Sequence, residues 1–167
     1  MIIPILAILL CVALVAGNGN ADPSVGAAQS NVAVAKSTAD VSDVGKTKPQ
    51  GIQVPTGRVP TKLEVQDLVE GTGAEAKVGD EVTVHYVLLL NENGKEVDSS
   101  WGGKPISFKL GSGRVTAGWE QGIEGMKARG RRELIAPSNL AYGKKGLPPA
   151  IDPNEALVSV IDLLAVK

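Results

Sequence analysis

The sequence predicts an α+β fold in which a sheet of about five strands packs on one short helix. Two observations support this prediction. Short apolar or β-branched runs recur between residues 62 and 166, and a single segment, 115–127, has apolar residues at helical spacing. The 167-residue chain also contains 20 glycines and 10 prolines, which favour strands and loops over long helices. One helix and several strands bury their apolar faces as two packed layers.

Residues 1–21 are predicted to be a signal peptide or an N-terminal membrane anchor. The segment 2–17 is an uncharged apolar run, and Gly19-Asn20-Ala21 is a small-x-small triplet suited to signal peptidase. No Lys or Arg precedes the run, and it is shorter than the roughly 20 residues that span a bilayer. Cleavage, retention and lipidation of Cys11 therefore stay open, although Leu10 is larger than the residue that normally precedes a lipidated cysteine. An exported protein is expected in each case.

Residues 22–58 are predicted to be a disordered linker, followed by a folded domain at 59–167. The linker is rich in Ala, Ser, Thr, Val and Gly and has no aromatic residue. The formal net charge of the chain is only -1, so no basic surface for nucleic acid is expected.

Six apolar segments account for the predicted sheet. Residues 62–73 and 81–90 are strand-like, and the turn signal Asn-Glu-Asn-Gly at 91–94 predicts a hairpin into 95–100. Further strands are predicted at 105–110, 131–137 and 156–166, with a proline-rich loop between the last two. Alternation in the second strand places five apolar residues on one face: Val82, Val84, Tyr86, Leu88 and Leu90.

The segment 115–127 is predicted to be the helix. Trp119, Ile123 and Met126 fall at positions i, i+4 and i+7, which form one apolar stripe. Thr116 is a candidate N-cap, and Glu120 suits the positive end of the helix dipole. Gly122 and Gly125 lower the intrinsic helicity of the segment, so packing must hold the helix in place.

Conventional catalytic residue sets are missing from the sequence. One His and one Cys cannot build a zinc site or a Cys/His pair, and His85 is interpreted as a structural or surface residue. The segment Gly-Ser-Gly-Arg-Val-Thr-Ala-Gly lacks the third glycine of a nucleotide-binding motif. What remains is a set of apolar and hydroxyl side chains on the inner sheet face and its loops.

Several separate motifs resemble one family. "VHY" (84–86), "GKEVDSS" (94–100), "PISFKLGSGRVTAGWEQGIEGMKARGRRELIAP" (105–137), "AYG" (141–143) and "PPAIDPNEALVSVIDLL" (148–164) are similar, in order and nearly in spacing, to the FKBP family of peptidyl-prolyl cis/trans isomerases. The resemblance covers residues 60–167. It implies an FKBP-like antiparallel sheet wrapped on a short helix, with the active pocket between them and no cofactor or metal. Rotation about an X-Pro bond makes and breaks no covalent bond, so an apolar pocket and a few fixed donors suffice.

The resemblance also implies residue roles. Trp119 would form the pocket floor, with walls that are also candidates for simple core packing: Tyr86, Phe108, Val115 and Ile151. The Thr116 N–H and the Tyr142 hydroxyl would hold substrate carbonyls, and Asp98 would lie at the rim near the Tyr86 hydroxyl. Alternatively, Asp98 caps a turn and Tyr142 packs on the prolines of its own loop.

Three aromatic positions of the family pattern are lost, at Val97, Ile106 and Ser159. Trp101 is placed to replace part of the missing wall from the rim, and Leu147 stands at the flap tip, where specificity is usually modulated. Because smaller side chains bury less ligand surface, we expect weakened binding of macrolide immunosuppressant-type ligands. The resemblance also implies proline-containing polypeptide substrates and a monomer. The alternative function is a non-catalytic FKBP-like peptide-binding or chaperone module of the cell envelope, attached through residues 2–17 if these are retained.

Overall fold

The computed structural model describes residues 40–55 and 57–167, and within them six strands form one antiparallel sheet. The strand order is β1-β5-β6-β2-β3, and β4 pairs with the first half of β2. One α-helix, α1, connects β4 to β5, and the α+β prediction is confirmed. The elements are β1 (Glu64–Val69), β2 (Glu81–Leu90), β3 (Glu96–Ser99), β4 (Ile106–Lys109), α1 (Ala117–Ile123), β5 (Gly130–Ala136) and β6 (Leu157–Val166).

The two longest strands form the centre of the sheet. β2 and β6 pair along their whole lengths, from Val82 opposite Val166 to Leu90 opposite Leu157. Every residue from Leu157 to Leu163 is buried, so β6 is covered on both faces. This explains why its sequence is nearly continuously apolar, because strict alternation is expected only where one face meets water.

α1 has two turns and lies against β5. A Cβ on Gly122 would lie 2.5 Å from a methyl carbon of Leu134, so glycine is what allows this close approach. The helix ends at Ile123, earlier than predicted, and Met126 lies beyond it although it remains buried. Gly125 has a φ of +76°, which no continuing helix can accommodate. The backbone of Thr116 occupies the N-cap position, but its hydroxyl makes no capping bond.

The outer face of the sheet is covered by residues 40–55, which we call the strap. Ile52 and Val54 pack on an apolar cluster of the outer face that contains Val87 and Leu89. Lys48 also reaches β3, where its Nζ lies 2.7 Å from a carboxylate oxygen of Glu96. The predicted disordered linker at 22–58 is therefore wrong for residues 40–55, and its part 22–39 lies outside the described residues. The correction has a physical reason: the outer sheet face is apolar and needs a cover, which composition alone does not show.

A buried ion pair fixes the strap to the sheet. The guanidinium of Arg131 on β5 donates to both carboxylate oxygens of Asp162 on β6, at 2.5 and 2.7 Å. The same guanidinium donates to the Thr47 carbonyl at 2.9 Å, and the Gly45 N–H donates to Asp162 at 2.6 Å. The strap backbone thereby satisfies polar groups that two neighbouring strands bury.

The predicted signal peptide or anchor at 1–21, with Cys11, lies outside the described residues. In the described part of the chain, no helix is long and apolar enough to cross a membrane.

Candidate active site

A cavity of about 150 Å³ opens between the inner sheet face and the start of α1. All five strands other than β1 contribute to it, as do the loop before α1 and the loop after β5. The lining residues are Tyr86, Leu88, Asp98, Ile106, Arg114, Val115, Thr116, Trp119, Ala136, Ala141, Tyr142, Leu157 and Ser159.

Eight of the twelve predicted site residues line this cavity, and four do not. Phe108 lies within the core, with its ring centroid 6.4 Å from that of Trp119. Ile151 is buried in a separate cluster below the cavity, against which Val97 packs from the side. Leu147 is 50% exposed in the loop after β5, outside the lining. The residues brought together are Tyr86, Asp98, Ile106, Val115, Thr116, Trp119, Tyr142 and Ser159.

Trp119 lines the cavity and is 8% exposed. Its indole N–H donates to the Ser159 hydroxyl at 3.0 Å, in a bond that is fully buried. The Tyr86 ring meets it edge to face, with centroids 4.9 Å apart and planes at 74°. Ser159 is thus the polar residue on an apolar strand face because it accepts the indole hydrogen of Trp119.

Tyr86 and Asp98 form a hydrogen-bonded pair at the rim. β2 and β3 are antiparallel neighbours here, and the Tyr86 hydroxyl donates to Asp98 Oδ2 at 2.6 Å. The other carboxylate oxygen accepts the Ser99 N–H at 2.8 Å. Burial raises the pKa of the Tyr86 phenol above its ordinary value, and the hydrogen bond to Asp98 raises it further. Tyr86 therefore remains a neutral donor at physiological pH.

Trp101 lies on the opposite side of this hairpin and does not line the cavity. It stacks on His85, with ring centroids 4.4 Å apart and an interplanar angle of 19°. The Ser100 hydroxyl lies 2.9 Å from His85 Nδ1 and accepts the Tyr86 N–H at 2.9 Å. Trp101 and His85 thus stabilise the segment that carries Asp98 from the side facing away from the cavity. The expectation that Trp101 replaces part of a missing cavity wall is wrong.

Among the hydrogen-bond donors of the lining that make no bond to the described residues, two lie next to Trp119 along the chain or across the cavity. The Thr116 N–H, just before α1, and the Tyr142 hydroxyl, in the loop after β5, have no protein acceptor there. Both line the cavity together with Trp119. A carbonyl oxygen entering the cavity can accept from either, so the arrangement suits an amide or imide ligand.

Five lining residues were not among the predicted site residues. Leu88 follows Tyr86 on the same strand face, and Leu157 precedes Ser159, so alternation was a sufficient signal for both. Ala136 and Ala141 are small and carried no signal. Arg114 carried none either, because nothing in its loop sequence indicates which side chain reaches the cavity mouth.

The described residues contain no group of three or more His, Cys, Asp or Glu side chains arranged to hold a metal ion. The arrangement offers apolar surface, a rim carboxylate and neutral donors. These groups can bind, desolvate and orient a ligand.

Comparisons with known proteins agree with this geometry. A family model described as FKBP-type peptidyl-prolyl cis-trans isomerase matches residues 73–164. An FK506-binding protein of Streptomyces anulatus is 47% identical over 121 residues, which cover 71% of this chain and 97% of that protein. Peptidyl-prolyl cis-trans isomerase FPR2 of Saccharomyces cerevisiae is 47% identical over 100 residues, covering 59% of this chain and 74% of the relative.

A solved structure shares the fold as well. The crystal structure of AtFKBP13 superposes with a TM-score of 0.60 at 37% identity, over 65% of this chain and 96% of the other. Some relatives are much longer, and the chain spans 29% of the 39 kDa FK506-binding nuclear protein of Drosophila melanogaster. The matched motifs, the sheet wrapped on one helix and the cavity between them lead to one conclusion: the chain belongs to the FKBP-type peptidyl-prolyl cis-trans isomerase family and is a peptidyl-prolyl isomerase.

Proposed function

We propose that the chain accelerates rotation about X-Pro bonds of exported proteins by removing water from the imide and hydrogen-bonding its twisted state. The uncatalysed barrier is roughly 18–20 kcal/mol, because rotation breaks amide resonance. The twisted imide is less polar than the planar one, so an apolar site favours it. The observation that carries this proposal is the combination, in one cavity, of Trp119 with the unused Thr116 N–H and Tyr142 hydroxyl.

Each group has a distinct proposed role. The proline ring lies on Trp119, where the Ser159 hydroxyl and the Tyr86 ring fix the orientation of the indole. The Thr116 N–H and the Tyr142 hydroxyl hold carbonyl oxygens on either side of the twisting bond. The Asp98 carboxylate, held by Tyr86, faces the carbonyl carbon as its partial positive charge grows with the loss of resonance.

The aromatic losses bear on ligand affinity. The name of the Streptomyces anulatus relative states that it binds FK506. We propose that this chain also binds macrolide ligands of this type, but with lower affinity. Ile106 lines the cavity where the family has an aromatic residue, and Ser159 offers only a hydroxyl that is already bonded. Smaller side chains bury less ligand surface.

Export and a monomeric state complete the proposal. The uncharged apolar run at 2–17 and the triplet Gly19-Asn20-Ala21 support export. Mass spectrometry of the N-terminus of the native protein distinguishes cleavage after Ala21, retention of the segment, and a lipid on Cys11. An intact N-terminus in a cytosolic fraction would contradict export.

The catalytic part is tested by NMR exchange on Xaa-Pro peptides, with the protein, its Asp98→Val variant and its Tyr142→Phe variant. Removal of one preorganised electrostatic group from an active site typically lowers the rate by about 10²–10³-fold, so we expect Asp98→Val to lower kcat/KM at least about ten-fold. Asp67→Val is the matched control, because Asp67 lies on β1 and pairs with Arg132 outside the cavity. No exchange enhancement, together with peptide binding unchanged in both variants, would indicate the non-catalytic binding module instead.

A further inference from the structure

The two charged side chains that line the cavity differ in how many hydrogen-bond partners the protein provides for them. Asp98 and Arg114 are the two charged residues of the lining within the described part of the chain. Both oxygens of the Asp98 carboxylate accept hydrogen bonds, from the Tyr86 hydroxyl and the Ser99 N–H. Part of the hydrogen-bonding capacity of this carboxylate is thus used by the protein, while its negative charge remains at the rim.

Arg114 has no such partner. Its side chain is exposed, and it forms no ion pair or side-chain hydrogen bond with any residue in 40–55 or 57–167. The nearest acidic residue along the chain in that segment, Glu120, uses its carboxylate to accept the Gly113 N–H at 2.7 Å. Arg114 also precedes Val115 and Thr116, so its charge originates from the same turn as the unused Thr116 N–H.

Two neighbouring loops carry lysines that lie close along the chain to lining residues. Lys104 precedes the lining residue Ile106 by two positions, and Lys144 follows the lining residue Tyr142 by two. Both lysines are exposed, and neither belongs to an ion pair among the described residues.

We propose that the enzyme prefers X-Pro segments with Asp or Glu directly before or directly after the proline, and that Arg114 determines this preference. The proposal rests on the proposed isomerase mechanism and names its substrate class. A guanidinium matches a carboxylate with two parallel hydrogen bonds, which a neutral side chain cannot reproduce. An exposed pair of this kind changes kcat/KM by roughly two- to five-fold, and salt screens it.

The test is NMR exchange on matched peptides that carry Glu, Gln or Lys directly before or directly after the proline. The full chain is compared with its Arg114→Gln and Arg114→Glu variants, at low and at high salt. In the unsubstituted protein we expect kcat/KM to fall from Glu to Gln to Lys at one of the two positions at least, and the differences to shrink with salt. Arg114→Gln should equalise Glu and Gln, and Arg114→Glu should reverse the order.

Arg129→Gln is the matched control, because Arg129 is exposed and lies outside the lining. This substitution removes the same charge as Arg114→Gln but at a site away from the cavity. It should leave the preference for Glu intact. Equal rates for Glu and Gln peptides in the unsubstituted protein, or a preference that survives Arg114→Gln, would overturn the proposal. The Gln peptides distinguish a failure of the substrate preference from a failure of the isomerase mechanism. If the protein accelerates their isomerisation but shows no charge preference, only the substrate class is rejected. If it does not accelerate their isomerisation, the mechanism and the substrate class are rejected together.

Discussion

Ser159 shows how one polar side chain determines the orientation of an active-site tryptophan. It lies on β6, 2% exposed, and its hydroxyl accepts the indole N–H of Trp119 at 3.0 Å. A buried indole N–H without an acceptor is costly, so the bond selects one orientation of the ring. The family pattern has an aromatic residue at this position, and here the lost apolar contact is exchanged for a hydrogen bond.

We predict that Ser159→Ala destabilises the protein by about 1–3 kcal/mol, because it leaves the indole N–H buried and unpaired. Urea unfolding followed by circular dichroism measures the change in free energy of unfolding. Ser107→Ala is the control: this serine is exposed, and its hydroxyl lies 2.8 Å from that of Thr83 at the surface, so we expect a change below about 0.5 kcal/mol. If both variants lose the same free energy of unfolding, the buried hydrogen bond contributes no more to stability than the exposed one.

At this scale the sequence predicts much of the site. Alternation along β6 already marks Ser159 as the polar exception, and the spacing within 115–127 already marks Trp119. What alternation cannot show is which donor the hydroxyl meets, since β6 and α1 are 40 residues apart at this contact. Arg114 is beyond prediction for a related reason: the direction of a loop side chain depends on the loop conformation, for which the sequence has no period.

At the scale of elements, the strap and the outer sheet face depend on each other. Arg131 and Asp162 have side chains that are 6% and 0% exposed, and two strap backbone groups complete their hydrogen bonds. Such a pair is costly to bury and more costly to break, since one partner alone leaves an unpaired charge in the interior.

We predict that Arg131→Met destabilises the protein by about 3–5 kcal/mol, whereas the double variant Arg131→Met with Asp162→Leu is markedly more stable than the single one. Thermal and urea unfolding of both variants provide the comparison. Arg58→Met is the control, because the exposed Arg58 side chain pairs with Glu64 at the surface, and we expect a loss below about 1 kcal/mol. If the double variant is no more stable than Arg131→Met, the buried charge is not the source of the loss.

The elements differ in how well the sequence predicts them. Strands β2 and β6 are correctly predicted because alternation marks the first and a long, mostly apolar segment rich in β-branched residues marks the second. The end of α1 is predicted four residues late, because the apolar stripe continues through Met126 while the backbone turns at Gly125. The strap is mispredicted because its order depends on a sheet face formed by residues far along the chain.

At the scale of the whole molecule, β6 belongs to both layers of packing. Val158 and Val160 are buried and so are Ile161 and Leu163, with Val158 in the outer cluster and the last two in the inner one. One strand therefore holds the strap side and the helix side together. The two clusters are expected to form and dissolve as one unit.

The two tryptophans provide a test, because Trp101 packs on the outer cluster and Trp119 belongs to the inner one. We predict that in Trp101→Phe and in Trp119→Phe, the fluorescence of the remaining tryptophan and the far-UV circular dichroism have the same urea midpoint within each variant. Each variant is its own control, since both signals come from one sample. An earlier fluorescence transition for Trp101 alone would show that the outer face opens independently.

The strap also decides how mechanical load would pass from the preceding segment into the domain. A pull on the chain from the N-terminal side reaches the strap before it reaches the edge strand β1. The first sheet contacts to bear it include the Gly45 N–H bond to Asp162, on the central strand. Because the strap is attached to the central strand, a load of this kind does not act first on the edge strand β1. It is also applied to the sheet face opposite the cavity.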